Sequence, residues 1–148
     1  MRVVLAVQRS DLGLALQLYL DAEPGLFVVG TATEASSLRA LLRTADPDLA
    51  ILDWNLPGYA PVQLLAEAKK LRRCTQLIVL GRDESVRQEA LAAGADAFVL
   101  SGDSPADLMA AIRESRERHR DCTGMATGLL SGTLQAAASG QVLGGTTE

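Results

Sequence analysis

The chain has 148 residues, 48% of them apolar and 22% charged, a composition that excludes disorder as the general state. With 14 Lys plus Arg against 18 Asp plus Glu, the formal net charge of −4 supplies no field that would gather nucleic acid or anionic lipid. Direct nucleic-acid binding and a membrane location are therefore not expected, and the length suits one domain rather than a receptor joined to a full-sized effector. The 2 cysteines, Cys74 and Cys122, and the 1 histidine, His119, are too few for a disulfide framework or a usual zinc site. Each thiol is expected to be free and buried or half-buried. Met1 to Val7 is apolar but too short for a secretory signal, so a cytoplasmic protein is expected.

In chain order, five short runs rich in Val, Ile, Leu and Phe recur: Val3 to Val7, Leu26 to Val29, Leu49 to Leu52, Leu77 to Leu80, and Ala97 to Leu100. Each is apolar without alternation, which suits strands covered on both faces, as in a parallel sheet. Between them apolar residues fall at helical spacing: Leu12, Ala15, Leu16, Tyr19 and Leu20; Leu38, Leu41 and Leu42; Leu64, Leu65, Ala68 and Leu71; Val86, Ala90 and Leu91. A fifth helix runs through Leu108, Ala111 and Ile112, its start marked by Ser104, Pro105 and Asp107 as cap, first-turn proline and first-turn acid. Five βα units are too few for a barrel, which needs eight. No GxGxxG follows the first strand, where Gln8, Arg9, Ser10, Asp11, Leu12 and Gly13 stand, so the dinucleotide-binding order is disfavoured. The expected fold is α/β: a doubly wound, five-stranded parallel sheet of flavodoxin-like order 2-1-3-4-5 with helices on both faces, covering residues 1–118.

From Cys122 to Thr147 there is no charged residue, and Gly124, Gly128, Gly132 and Gly140 punctuate Ala, Ser, Thr and Leu. The glycine spacing is that of membrane helix pairs, but Gln135, Gln141 and the glycine content leave the segment barely apolar enough to insert. A helix docking on a partner or a second copy is one alternative; residues 119–148 are expected to be a flexible tail.

In an open parallel sheet the chemistry collects at the carboxyl ends of the strands where strand order reverses. Those ends are Gln8 with Arg9, Gly30, Asp53, Gly81 with Arg82, and Ser101, and Asp53 is the one acid among them. In the 2-1-3-4-5 order Arg9 and Asp53 face each other across the switch point. Trp54 lies next to Asp53, either over the site or packed on a loop.

The run Asp53, Trp54, Asn55, Leu56, Pro57, Gly58 resembles the phosphoacceptor segment of the receiver domains of bacterial two-component response regulators. The resemblance extends through Pro47, Asp48 and Leu49 before it, and through Ala90, Gly94, Ala95, Asp96, Ala97 and Phe98 later, covering residues 2–118. It implies that Asp53 is the phosphoacceptor, that the backbone carbonyl of Asn55 is a magnesium ligand, and that Phe98 is the switch aromatic. The rest of the family's site is replaced. Gln8 and Arg9 stand where the metal-binding acidic pair belongs, Gly81 where a Ser or Thr contacts the phosphoryl group, and Ser101 where a Lys does.

These replacements weaken one chemistry. Magnesium wants several oxygen ligands, and Arg9 brings a positive charge instead. Phosphoryl transfer relies on cations to offset charge on the equatorial oxygens. Hence no metal and no cofactor are expected, magnesium returning only if the site still works. Arg9 is expected to pair with Asp53; unit charges about 4 Å apart interact by about 4 kcal/mol at an effective dielectric of 20, but a wet pair nets only about 0 to 1 kcal/mol. Gly81 leaves room for the Phe98 ring to sit inward permanently, against the alternative of a plain core aromatic.

The reading is an atypical receiver acting as a protein interaction module in phosphorelay signalling, and not an enzyme. Its partners would be a histidine kinase and a downstream effector, with a homodimer possible through helix 4, strand 5 and helix 5. The alternative is a working receiver phosphorylated on Asp53 by a histidine kinase. A small α/β enzyme is the third reading; it lacks any Ser-His-Asp or Cys-His arrangement. The cluster Lys69, Lys70, Arg72 and Arg73 is expected to be a solvated helix end, with an anion or partner site as the rival reading. Leu14 and Leu18 border the apolar face of the first helix, as its edge or as a partner surface.

Overall fold

Continuous apolar runs become interior strands when both faces of a sheet are covered, and the alternation of side chains then sends successive residues into two separate cores. The computed structural model describes residues 1–102 and 104–139, with side chains as far as 124. Its elements alternate as read: β1 (Arg2–Ala6), α1 (Ser10–Asp21), β2 (Phe27–Ala32), α2 (Ala35–Thr44), β3 (Leu49–Asp53), α3 (Pro61–Leu71), β4 (Gln76–Gly81), α4 (Arg87–Ala93), β5 (Ala97–Leu100) and α5 (Pro105–Ser139). The five strands are parallel in the order β2-β1-β3-β4-β5.

Val4, Ala6, Ala50, Leu52, Leu77, Val79 and Phe98 face one layer, where Leu38 and Leu42 of α2, Leu64 and Leu65 of α3, and Ala90 of α4 close over them. Val3, Leu5, Leu49, Ile51, Ile78, Leu80 and Val99 face the other, beneath Leu20 of α1 and Leu108, Met109 and Ile112 of α5. Two adjacent letters of one strand thus serve opposite cores. Because Ile51 is fully buried, its truncation to Ala would cost about 2–5 kcal/mol.

The start of α5 follows its sequence signal: Ser104 donates its hydroxyl to Asp107 at 3.1 Å, and the Asp107 N–H donates to the Ser104 carbonyl at 3.0 Å. Its end does not. Residues 119–139, read from composition as a tail, continue the same helix to Ser139; residues 140–148 lie outside the described residues. Loss of charge at Cys122 is not a helix stop, since no proline follows and Ala, Leu, Met and Gln favour helix.

That continuation overturns the expectation of free thiols. The turn of α5 that carries Cys122 passes over the loop between α3 and β4, where Cys122 and Cys74 form a disulfide with Cα atoms 5.7 Å apart. Beside it, both ring nitrogens of His119 face acceptors, Nδ1 the Cys74 carbonyl at 2.7 Å and Nε2 the Asp48 carboxylate at 2.9 Å. Arg118 donates to the Gln76 side chain at 3.1 Å, and Ser115 is fully buried beneath.

Candidate functional site

At the carboxyl end of the sheet, β3 delivers Asp53 half-buried, and the following turn is built on it: the Asn55 N–H donates to Oδ1 at 3.1 Å and the Leu56 N–H to the Asp53 carbonyl at 3.2 Å. Carboxylates favour such turns because they accept from the backbone two residues on. Beyond it, Gly58 adopts φ +107°, which favours glycine, and the Pro57 carbonyl accepts from the first N–H of α2 at 2.8 Å. The Trp54 N–H donates to the Leu80 carbonyl at 2.8 Å, and its side chain packs against the core layer of α2, α3 and α4. The loop reading of Trp54 is thereby replaced by core packing.

Asp53 opens into a crevice of about 120 Å³ lined by Arg9, Leu12, Leu80, Arg82 and Ser101. Arg9 and Asp53 do share the switch point, as strand order requires. They do not pair. Arg9 donates from Nη2 to Asp11 Oδ2 at 2.7 Å and from Nε to Asp11 Oδ1 at 3.3 Å. A partner two residues away on the opening turn of α1 needs less side-chain ordering than one across a wet crevice, which is why the nearer acid wins. The Arg9 hydrogen bond, then the Leu12 backbone N–H, hold the Asp11 carboxyl below its ordinary range; Asp11 in turn raises Arg9. Among the described residues the Asp53 carboxylate makes no ion pair, and it accepts from the Asn55 N–H.

The donor set does not fit a divalent cation. Among the described residues Asp53 is the one carboxylate lining a crevice that carries two guanidinium groups, while a hard cation of this kind seeks several oxygen ligands, charged ones first. Among the described residues no cluster of three or more His, Cys, Asp and Glu is placed to hold a metal ion.

Gly81 and Phe98 are brought together closely. A Cβ on Gly81 would lie 2.5 and 2.6 Å from Cζ and Cε1 of the Phe98 ring and 3.3 Å from Val86 Cγ2. The ring therefore occupies the space that any side chain at position 81 would take, and it is buried with 6% exposure. Arg87 holds it from outside: the guanidinium lies 4.9 Å from the ring centroid, donates to the Phe98 carbonyl at 3.3 Å, and pairs with Glu84 at 2.5 Å. Sequence reading missed Arg87, although a cation at the start of the fourth helix, next to the strand that carries the aromatic, was visible. Ser101 is exposed, and its N–H donates to the Gly81 carbonyl at 2.8 Å; Gln8 is exposed as well.

The basic cluster divides. Lys69 donates to Asp96 at 2.7 Å and to the Thr75 carbonyl at 3.0 Å, and Arg72 donates to the Leu42 and Arg43 carbonyls at 2.7 and 2.9 Å. These two are structural braces rather than a solvated end, because the carbonyls closing α2 and the loop before β4 need donors. Lys70 and Arg73 are exposed, as a solvated helix end would have them. Leu14 and Leu18 stand out from α1 with 58% and 64% exposure.

Sheet order, the aspartate closing β3 and the aromatic of β5 are those of a phosphoacceptor-type signalling receiver. The family model for the response regulator receiver domain matches residues 8–113, and the chain belongs to that family. It is 31% identical over 118 residues to the phosphate regulon transcriptional regulatory protein PhoB of Rhizobium meliloti, covering 77% of this chain and 52% of that protein. It is 33% identical over 126 residues to the response regulator RppA of Synechocystis, covering 80% of this chain and 51% of that protein. The chain spans about half the length of these relatives. A CheY-like receiver domain protein from Methanospirillum hungatei superposes with a TM-score of 0.71 at 25% identity, covering 81% of this chain and 97% of the other. The chain is thus a response regulator receiver domain of two-component signalling. Among the described residues no helix is long and apolar enough to cross a membrane.

Proposed function

We propose that this receiver is an atypical one, a cytoplasmic module of phosphorelay signalling that works through protein contacts, with its phosphorylation site degraded around Asp53. One observation carries the reading. The carboxylate at the end of β3 shares its crevice with Arg9 and Arg82 and, among the described residues, with no second acid, while Gly81 and Ser101 replace the groups that would grip a phosphoryl oxygen. Neither magnesium nor another cofactor is required.

The inward ring of Phe98 supports the same reading. A phosphate-driven switch needs contacts that differ between two states. Here Gly81 has no hydroxyl to move, and the ring already fills the space beside it. The face of α4, β5 and α5, with Leu91 at its edge, is the surface offered to an effector or a second copy, and Leu14 and Leu18 extend α1 toward a histidine kinase.

A second reading has an observation of its own. Asp53 is not occupied by Arg9, so its carboxylate is available for attack, and the two guanidiniums could offset phosphoryl charge without metal. Intact-protein mass after acetyl phosphate, with and without magnesium, separates the two, with Asp53→Asn as control. The atypical module predicts no mass gain in either condition. A gain that vanishes in Asp53→Asn establishes the working phosphoacceptor instead.

A further inference from the structure

We propose that Cys74 and Cys122 form a reversible redox site, closed by peroxides and opened by dithiols, that clamps the outer part of α5 to the domain. The site lies at the opposite end of the sheet from Asp53 and does not depend on what Asp53 does.

Position comes first. These are the chain's 2 cysteines, 48 residues apart in sequence, and the fold brings their Cα atoms to 5.7 Å, within the span that a disulfide bridges without moving backbone. Both residues are half-buried, so small oxidants and reductants reach them. Cys74 and His119 line a hollow of about 340 Å³ together with two cations, Arg73, which is exposed, and Arg72, which pairs with Asp46 at 3.3 Å. Cations near a partly exposed thiol favour the thiolate, which is the reacting form.

Consequence follows from where Cys122 sits on α5. The helix is anchored to the sheet by Leu108, Met109, Ile112 and Ser115, then by Arg118 on Gln76 and His119 on Cys74 and Asp48. Cys122 is the next contact, and Thr123 and Gly124 after it are exposed. Among the described residues it is the last bond between α5 and the domain, and the helix then runs on to Ser139. Opening the disulfide leaves only polar contacts to hold the turn of Arg118 and His119. The two apolar layers are complete without it, so the domain survives while the helix loosens.

One thiolate attacks a peroxide oxygen, the O–O bond breaks, and a sulfenic acid forms as hydroxide leaves and takes up a proton as water. The second thiol attacks that sulfur, the S–O bond breaks, and a second water leaves as the S–S bond forms. Two electrons have passed from the sulfurs to the peroxide. In reverse, an external dithiol performs two thiol–disulfide exchanges, leaving two protein thiols and its own disulfide.

The full chain is exposed to hydrogen peroxide or to dithiothreitol without denaturant, free thiols are counted by alkylation and intact mass, and amide hydrogen exchange is followed along α5. The expected result is no free thiol after peroxide and two after dithiothreitol, with amides at 116–124 exchanging at least about tenfold faster in the reduced form. Cys74→Ser and Cys122→Ser should each show the fast pattern whatever the treatment. Equal exchange in both redox states, slow exchange in either variant, disulfides between chains, or a bond that yields only after denaturation would each overturn the proposal. The last outcome would make the bond a permanent staple. Should either variant fold poorly, the wild-type comparison decides alone.

Discussion

The two ends of this sheet have been treated differently. At the carboxyl end of the strands, Asp53 sits in a wet crevice with Arg9, Arg82 and Ser101, held by one backbone N–H and no ion pair among the described residues. At the amino end, Asp48, Cys74, His119 and Cys122 are joined by hydrogen bonds and a covalent bond over the turn that ends α3. A receiver would be expected to concentrate its polar chemistry at the first end. Here the tightly connected groups are at the second, and the first carries one carboxylate beside two guanidinium groups.

Removing the disulfide should have the largest effect. In the chain-entropy model a loop closed across 48 residues is worth roughly 4 kcal/mol, so Cys74→Ser or Cys122→Ser should lower the melting temperature by about 10 °C. Calorimetry checks this; Asp53→Asn, at the loose end, should stay within about 0.5 kcal/mol of wild type. If the two variants lose equal stability, the contrast between the ends is wrong.

Gly81→Thr comes next. Its Cβ would collide with the Phe98 ring, and displacing a packed ring costs about 1–3 kcal/mol. Chemical denaturation measures the loss, and a crystal structure of the variant should show the ring moved and its stacking on Arg87 broken. A variant as stable as wild type with the ring unmoved would mean that the inward position is not held by the glycine.

His119→Ala should cost about 1–2 kcal/mol, because Asp48 Oδ1 and the Cys74 carbonyl lose the imidazole in half-buried positions, while Asp48 Oδ2 keeps the Arg2 N–H. The smallest effect belongs to Arg9 and Asp11. Asp11 is lowered by its hydrogen bond from Arg9, so the pairing is complete above the ordinary carboxylate range and disappears as pH falls through the lowered value. Both groups are fully exposed, so the melting temperature should not register it, whereas the Arg9 side-chain NMR signal should. Asp11→Asn should reproduce the low-pH signal at neutral pH; an unchanged signal would contradict the pairing.

Much of this was legible in the sequence. The five unalternating apolar runs, the missing glycine fingerprint and the run around Asp53 led to the sheet and its order. Arg9 was placed at the right switch point with the wrong partner. The signal for the correct one was present in Asp11, an acid two residues along at the start of α1, but spacing alone does not rank a local against a cross-crevice pair. The inward Phe98 followed from a glycine at position 81, while its cover by Arg87 depended on the angle of α4, which no periodicity records. The disulfide was out of reach for a different reason. Uncharged residues after Cys122 were read as the end of the domain, and only a helix that ignores that boundary carries the sulfur back over Cys74.

The central claim concerns the crevice at Asp53, and the most direct test is a calorimetric titration of the intact chain with magnesium, with Asp53→Asn alongside. The account predicts no saturable heat into the millimolar range and identical traces for the two proteins. Stoichiometric uptake by the wild type that is lost in the variant would show that one carboxylate, among guanidiniums, still gathers the cation, and the degraded-site reading would have to be given up.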